Sequence, residues 1–141
     1  MSFSIKIPHA PRYFLYSIWL ILSFTGLYFA YFQDWQMQDP SDFTVNILKT
    51  HGIAAAIFLL ILGALLAVHI QLAFKVKRNL ITGISMLSLM ILLALTGTGL
   101  YYSPEEWHEN VKWGHIIIGL VSICWLPIHI LTGIKKKKNK T

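Results

Sequence analysis

Four histidines stand in long apolar stretches of the 141-residue sequence: His51, His69, His115 and His129. Imidazole binds metals and titrates near neutral pH, so each of them is a candidate for redox, metal or proton chemistry. Eighteen residues separate His51 from His69, and fourteen separate His115 from His129. Because an α-helix turns about 100° per residue, eighteen residues return to the same angle and fourteen miss it by about 40°. Each pair is therefore predicted to lie on one face of a helix, with one imidazole towards each end.

Two imidazoles per site, with no accompanying cysteine or carboxylate, suit the axial ligation of a haem better than a metal that needs three or four protein ligands. We therefore predict two bis-histidine haems. His51 and His115 are the expected ligands of an outer haem iron, and His69 and His129 those of an inner one. A proton or metal-ion pathway and a purely structural use of the histidines are the alternatives.

The elements that carry these histidines are four apolar runs, each near the roughly 20 residues that cross a bilayer as a helix. The runs cover residues 13–32, 47–74, 80–102 and 111–134. The chain is 55% hydrophobic and only 13% charged. We therefore predict an all-α membrane protein, a four-transmembrane-helix bundle formed as one domain by residues 1–141. Ionisable groups within a bilayer are costly and tend to mark ion or electron pathways, which strengthens the functional interpretation of the histidines.

The basic residues predict the orientation of the helices. Ten of the twelve lie in the three segments that four spans place on one side: Lys6, Arg12, Lys75, Lys77, Arg78, Lys135, Lys136, Lys137, Lys138 and Lys140. By the positive-inside rule that side is the cytoplasm, so both termini are predicted inside. Topology and contact with anionic membrane lipid account for the basic clusters, and no nucleic-acid partner is expected.

A short internal repeat suggests two tandem helical hairpins. The motif TGLYF begins at Thr25 and TGLYY at Thr98, each near the outer end of its run. HIQLAFKVK starts at His69 and HILTGIKKK at His129, so the inner histidine has the same place in both halves. Each hairpin would then supply one outer and one inner ligand, because the second and fourth helices run in the same direction.

Three further residues concern the outer site. Lys49 and Lys112 are the only basic residues on the acidic side, just before His51 and His115, and we predict that they pair with the propionates of the outer haem. His108 is a second histidine near that end. The sequence SPEE at 103–106 is typical of a capping box and would make His108 helical. His115 is the expected ligand because it lies deeper in the apolar run.

Two features of the sequence resemble the bacterial cytochrome b561 and formate dehydrogenase/hydrogenase b-subunit superfamily. They are the two histidines of the fourth run, with thirteen residues between them, and the first-run sequence RYFLYSIWLILSFTGLY. That superfamily commonly has a first-helix histidine where this chain has Leu15 and Tyr16. Here the second helix supplies that ligand as His69, an arrangement similar to the small four-helix flavinylation-associated cytochromes b.

The resemblance implies a dihaem cytochrome b of the bacterial inner membrane, with two haems b as cofactors. It implies electron transfer across the bilayer between quinone or quinol and a periplasmic redox protein. The chain would then be an electron-transfer subunit of a quinol-linked oxidoreductase. Two other functions stay open: a haem-bearing anchor that binds other subunits of a larger redox complex, and a histidine-lined metal or proton transporter. No catalytic residue is predicted in the chain itself.

Overall fold

The structure of the chain is a computed structural model that describes residues 9–76 and 80–138. The four helices are α1 (His9–Phe29), α2 (Asp42–Val76), α3 (Leu80–Tyr102) and α4 (Glu105–Lys138), and α1 continues into a π-helical turn at Ala30–Trp35. The described ranges contain no strand. The predictions of an all-helical chain and of four helices are confirmed.

The start of α2 is set by a serine cap. Ser41 Oγ accepts a hydrogen bond from the backbone N–H of Thr44 at 3.2 Å and lies 2.8 Å from its hydroxyl oxygen. A side-chain oxygen in this place satisfies one of the backbone donors that the first helical turn leaves without a partner. The helix therefore begins at Asp42, ahead of the apolar run, and His51 is already in its third turn.

The start of α4 differs from the prediction. Ser103 Oγ is buried and has no hydrogen-bond partner within the described ranges, so the capping box expected at 103–106 is wrong. Instead the N–H of Trp107 donates to the carbonyl of Pro104 at 3.0 Å, and α4 begins at Glu105. His108 is helical, as predicted, although without the serine cap.

A wide helical turn ends α1. The N–H of Gln36 donates to the carbonyl of Tyr31 at 2.9 Å, five residues back, as in a π-helix. Aromatic rings pack along the turn, with the centroids of Tyr28 and Phe32 4.5 Å apart. Tyr28 also meets Phe43 of α2 edge to face at 5.6 Å, which connects the end of α1 to the beginning of α2.

All four helices are long and apolar enough to cross a membrane, at 12–35, 42–66, 80–102 and 105–134. Their outer surfaces carry large apolar side chains, such as Phe24, Leu60 and Ile81, which are 70%, 76% and 82% exposed. Exposure on this scale is unfavourable in water but favourable against lipid chains. Among the described residues, the buried apolar side chains are Ile18, Ala30, Ala54, Phe58, Met86 and Met90.

The chain divides into two compact units, Met1–Val68 and His69–Thr141. In the first unit, α1 meets α2 through Thr25 and His51. In the second, α3 meets α4 along its length, with the late residues of α3 beside the early residues of α4. Contacts in this order are those of antiparallel helices. His69 lies in α2 and is the first residue of the second unit.

Candidate functional site

The imidazole of His51 is held against α1 by a threonine and a glycine that are adjacent in sequence. Thr25 Oγ1 lies 3.0 Å from His51 Nδ1. A methyl group at Gly26 would lie 3.0 Å from His51 Cε1, so only glycine leaves room for the ring in this position. Thr25 is buried, and His51 is half-buried. The ring is thereby fixed on the side that faces α1.

His115 is held in the same way by the preceding helix. Thr96 Oγ1 lies 2.9 Å from His115 Nδ1, and a methyl group at Gly97 would lie 3.4 Å from His115 Cε1. The two imidazoles also have matching places in their own helices. His51 follows the first residue of α2 by nine positions, and His115 follows that of α4 by ten, or about 14 and 15 Å of helix.

The threonine hydroxyls determine which ring nitrogen carries the proton. Thr25 donates its hydroxyl proton to the carbonyl of Ile21 at 2.7 Å, and Thr96 donates its own to that of Leu92 at 2.7 Å. A hydroxyl has one proton, so towards the imidazole each oxygen acts as an acceptor. The proton of the neutral ring therefore lies on Nδ1, and the lone pair lies on Nε2. This is the tautomer that coordinates a metal through Nε2.

His129 repeats the arrangement near the other end of the same helix pair. Thr82 Oγ1 lies 3.2 Å from His129 Nδ1, and a methyl group at Gly83 would lie 3.6 Å from His129 Cε1. Thr82 precedes Thr96 by fourteen residues, the same interval that separates His115 from His129. Two antiparallel helices thus hold two imidazoles about 21 Å apart along their axes by one repeated device.

The fourth predicted ligand, His69, lies in α2 towards its C-terminal end. Its side chain is outside the part of the structure that is described. Its backbone belongs to the same compact unit as His129, the residue with which it is predicted to share a haem.

Three glycines of α2 and α4 have no neighbour that would obstruct a side chain. A methyl group added at Gly52, Gly63 or Gly114 would meet no described atom within 4 Å. Gly52 and Gly63 are exposed, and Gly114 is partly exposed. These positions are therefore open surface of the helices.

The two predicted propionate partners differ in their surroundings. Lys112 donates to Glu109 Oε1 at 2.7 Å and lies 5.8 Å from the ring centroid of Trp113. Lys49 is exposed on α2. Lys112 would have to exchange Glu109 for a propionate, and the predicted pairing of both lysines stays a prediction. His108 is exposed on the first turn of α4, seven residues before the half-buried His115.

Sequence reasoning found the histidines but missed the threonines that hold them. The repeat of TGLYF and TGLYY aligned Thr25 with Thr98, whereas the residue equivalent to Thr25 in the structure is Thr96. Thr98 is exposed and its hydroxyl donates to the carbonyl of Ala94 within α3, and Gly99 approaches Val111, not His115. The signal that was available is a Thr-Gly doublet in the helix that precedes His51, His115 and His129, at 25–26, 96–97 and 82–83; the sequence has the same doublet at 98–99 and 132–133 as well.

Comparison of the chain with protein-family models, with curated proteins and with solved structures finds no match. A function for the chain therefore rests on its own residues and their geometry.

Proposed function

We propose that the chain is a dihaem membrane cytochrome b that carries electrons across the bilayer. The observation that supports this most is the hydrogen bond from Nδ1 of His51 and His115 to a back-bonded threonine, which puts the lone pair of each ring on Nε2. A metal ligand coordinates through the lone pair of one ring nitrogen, and its second nitrogen is normally hydrogen-bonded, as Nδ1 of both rings is here.

In this proposal His51 and His115 hold the outer haem iron, and His69 and His129 hold the inner one. The chain forms two tandem hairpins with both termini inside, so that the two sites lie near opposite faces of the bacterial inner membrane. The haems would supply one-electron chemistry, while the protein sets ligand orientation, burial and nearby charge. An electron that crosses works with or against the membrane potential, at about 2.3 kcal/mol per 100 mV.

The donor set supports a haem over a bare metal ion. In the described ranges no three His, Cys, Asp or Glu side chains come together as ligands of one ion. Zinc sites use three or four protein ligands, whereas an axially ligated haem iron needs two. We propose quinone or quinol as one exchange partner and a periplasmic redox protein, or another subunit of a larger complex, as the other.

The test is the visible spectrum of the purified full-length chain, expressed in haem-sufficient cells. We expect about two haems b per chain and the sharp reduced bands of bis-histidine ligation. Matched variants are His51→Ala, which should lower the ratio to about one haem per chain, and His9→Ala, which should leave it unchanged. A chain that folds as a helical membrane protein and carries no haem after reconstitution would disprove the proposal.

A further inference from the structure

An ion pair near the outer end of α4 contains a lysine that is also a predicted haem partner. Lys112 donates to Glu109 Oε1 at 2.7 Å, and the two side chains are 25% and 68% exposed, respectively. The lysine is therefore the more buried member of the pair. Glu109 is the only acidic residue within four sequence positions of Lys112, and the sequence of α3 contains none. Neither α3 nor the next turns of α4 offer a second carboxylate to this lysine.

Helix geometry places Lys112 between Glu109 and the predicted ligand His115. The three residues follow one another at intervals of three, so each lies about 4.5 Å and 60° from the next along α4. A lysine ammonium is carried on a flexible four-carbon stem, and it can turn towards either neighbour. One direction leads to Glu109, and the other leads to the propionates of a haem that His115 ligates. A cation that is paired with one carboxylate attracts a second one less strongly, so the two acids compete for Lys112.

The other outer lysine, Lys49, provides a comparison within the same chain. It precedes His51 by two residues and is likewise a predicted propionate partner, but positions 45–53 contain no acidic residue. Its side chain is exposed on α2. The two lysines carry the same charge, whereas only Lys112 bonds to Glu109. An effect of Glu109 that acts through Lys112 can therefore be distinguished from the effect of its own charge.

We propose that Glu109 is a positioning residue for the outer haem, which competes with a propionate for Lys112 and keeps the reduction potential of that haem low. In the haem-free chain Glu109 holds the lysine, as the structure has it. When the haem is bound, the two carboxylates share the ammonium. The part of its charge that Glu109 neutralises then no longer stabilises the reduced haem, which is the more negative form. This inference rests on the proposed function and adds a residue that determines the outer potential.

The test is a redox titration of the full-length chain in nanodiscs, followed in the visible spectrum, with the outer haem assigned by its loss in His51→Ala. Glu109→Gln should raise the reduced-to-oxidised ratio of the outer haem about two- to fivefold at a fixed applied potential, the range of a partly exposed ion pair. The shift should persist in the Lys49→Gln background and vanish in the Lys112→Gln background, since only Lys112 transmits it. An equal shift in both backgrounds would show that Glu109 acts through its own charge, and would overturn the inference.

A cross-linking measurement on the unmodified sequence decides the question if a variant does not fold. A water-soluble carbodiimide should join Lys112 to Glu109 as an amide in the haem-free protein, because the two side chains are in contact. Peptide mass spectrometry should find that amide at a several-fold lower yield once haem is loaded. An unchanged yield in protein that carries both haems overturns the inference and leaves the proposed function standing. Protein that folds and takes up no haem rejects the proposed function instead.

Discussion

At the scale of single residues, the sites of His51 and His115 each depend on a threonine that makes two hydrogen bonds. Its hydroxyl proton goes to a carbonyl of its own helix, and its oxygen then accepts from the imidazole of the next helix. Threonines in membrane helices usually make only the first of these bonds. The second bond fixes the orientation of the imidazole and makes it a more basic ligand, and the higher basicity favours the oxidised form of a ligated haem.

The first prediction concerns this hydrogen bond. Thr96→Val keeps the shape of the side chain but removes the acceptor, so the reduction potential of the outer haem should rise and its affinity should fall about 10- to 100-fold. The lost bond should also lower the free energy of unfolding by about 1–3 kcal/mol. Redox titration followed in the visible spectrum and haem dissociation kinetics measure the two effects.

Thr98→Val is the matched control for that prediction. Thr98 bonds to the carbonyl of Ala94 in its own helix and is exposed. Its replacement should leave both haem potentials unchanged. If Thr98→Val shifts the outer potential and Thr96→Val does not, the hydrogen bond assigned between Thr96 and His115 is wrong. The alignment of TGLYF with TGLYY, which makes Thr98 the equivalent of Thr25, would then be correct.

The second prediction concerns the glycine next to each threonine. Gly26→Ala places a methyl group 3.0 Å from Cε1 of His51, tighter than nine in ten real contacts, so the imidazole must shift by a few tenths of an ångström. Overpacking of this kind costs about 1–3 kcal/mol, which outweighs the gain of up to about 1 kcal/mol from replacing glycine within a helix. We expect less stable protein in detergent unfolding and loss of the outer haem.

Gly83→Ala and Gly63→Ala give the scale for comparison. At Gly83 the added methyl group would lie 3.6 Å from His129 Cε1, an ordinary contact, and at Gly63 it would meet no described atom within 4 Å. Both variants should retain two haems and equal or exceed the wild type in stability. Equal haem loss in all three variants would show that close approach to the imidazole is not what selects glycine at position 26.

At the scale of the helices, sequence reasoning predicted their number, their order and the bounds of α3, but not where α2 and α4 begin. Hydropathy reports the residues that lie in an apolar solvent, so it placed the second and fourth runs at 47–74 and 111–134. The helices themselves begin earlier, at Asp42 and Glu105. Backbone hydrogen bonding continues beyond the apolar layer, and a cap such as Ser41 decides where it stops. The capping box expected at Ser103 failed because sequence identifies a capable side chain but not its rotamer.

The third prediction separates the two histidines of the first half of α4. His108 is exposed in the first turn, whereas His115 is half-buried and bonded to Thr96. His115→Ala should therefore lower the haem content to about one haem per chain, and His108→Ala should keep about two. Haem-to-protein ratios of purified, folded variants decide between them. The reverse result would place the outer ligand in the first turn of α4, away from the threonine that orients His115.

At the scale of the whole molecule, composition was sufficient to indicate a multi-pass membrane protein, because a bilayer leaves only helices and closed barrels as spanning structures. The equal intervals in α3 and α4, fourteen residues between Thr82 and Thr96 and between His115 and His129, were also visible in sequence. Their meaning was not, since an interval predicts a contact only after the register of two antiparallel helices is known. Tertiary contacts set that register, and Gly97 against His115 is one of them.

The last prediction concerns the acidic residues. The six acidic residues lie in the two segments that join α1 to α2 and α3 to α4, or just beside them, and they outnumber the two lysines there. Five of the six are exposed, which leaves their field open to an approaching protein. Opposite charge accelerates diffusional encounter, and salt suppresses the effect once the screening length falls to about 8–10 Å.

Electron transfer from the reduced chain to a small basic redox protein should therefore slow steeply as ionic strength rises, measured by stopped-flow absorbance. Glu105→Gln combined with Glu106→Gln should flatten that dependence without changing haem content, because both residues are exposed and precede the ligand His115 by about 14–15 Å along α4. A rate that does not respond to salt in the wild-type protein would mean that the acids mark only the orientation of the chain in its membrane, and that the partner docks by other contacts.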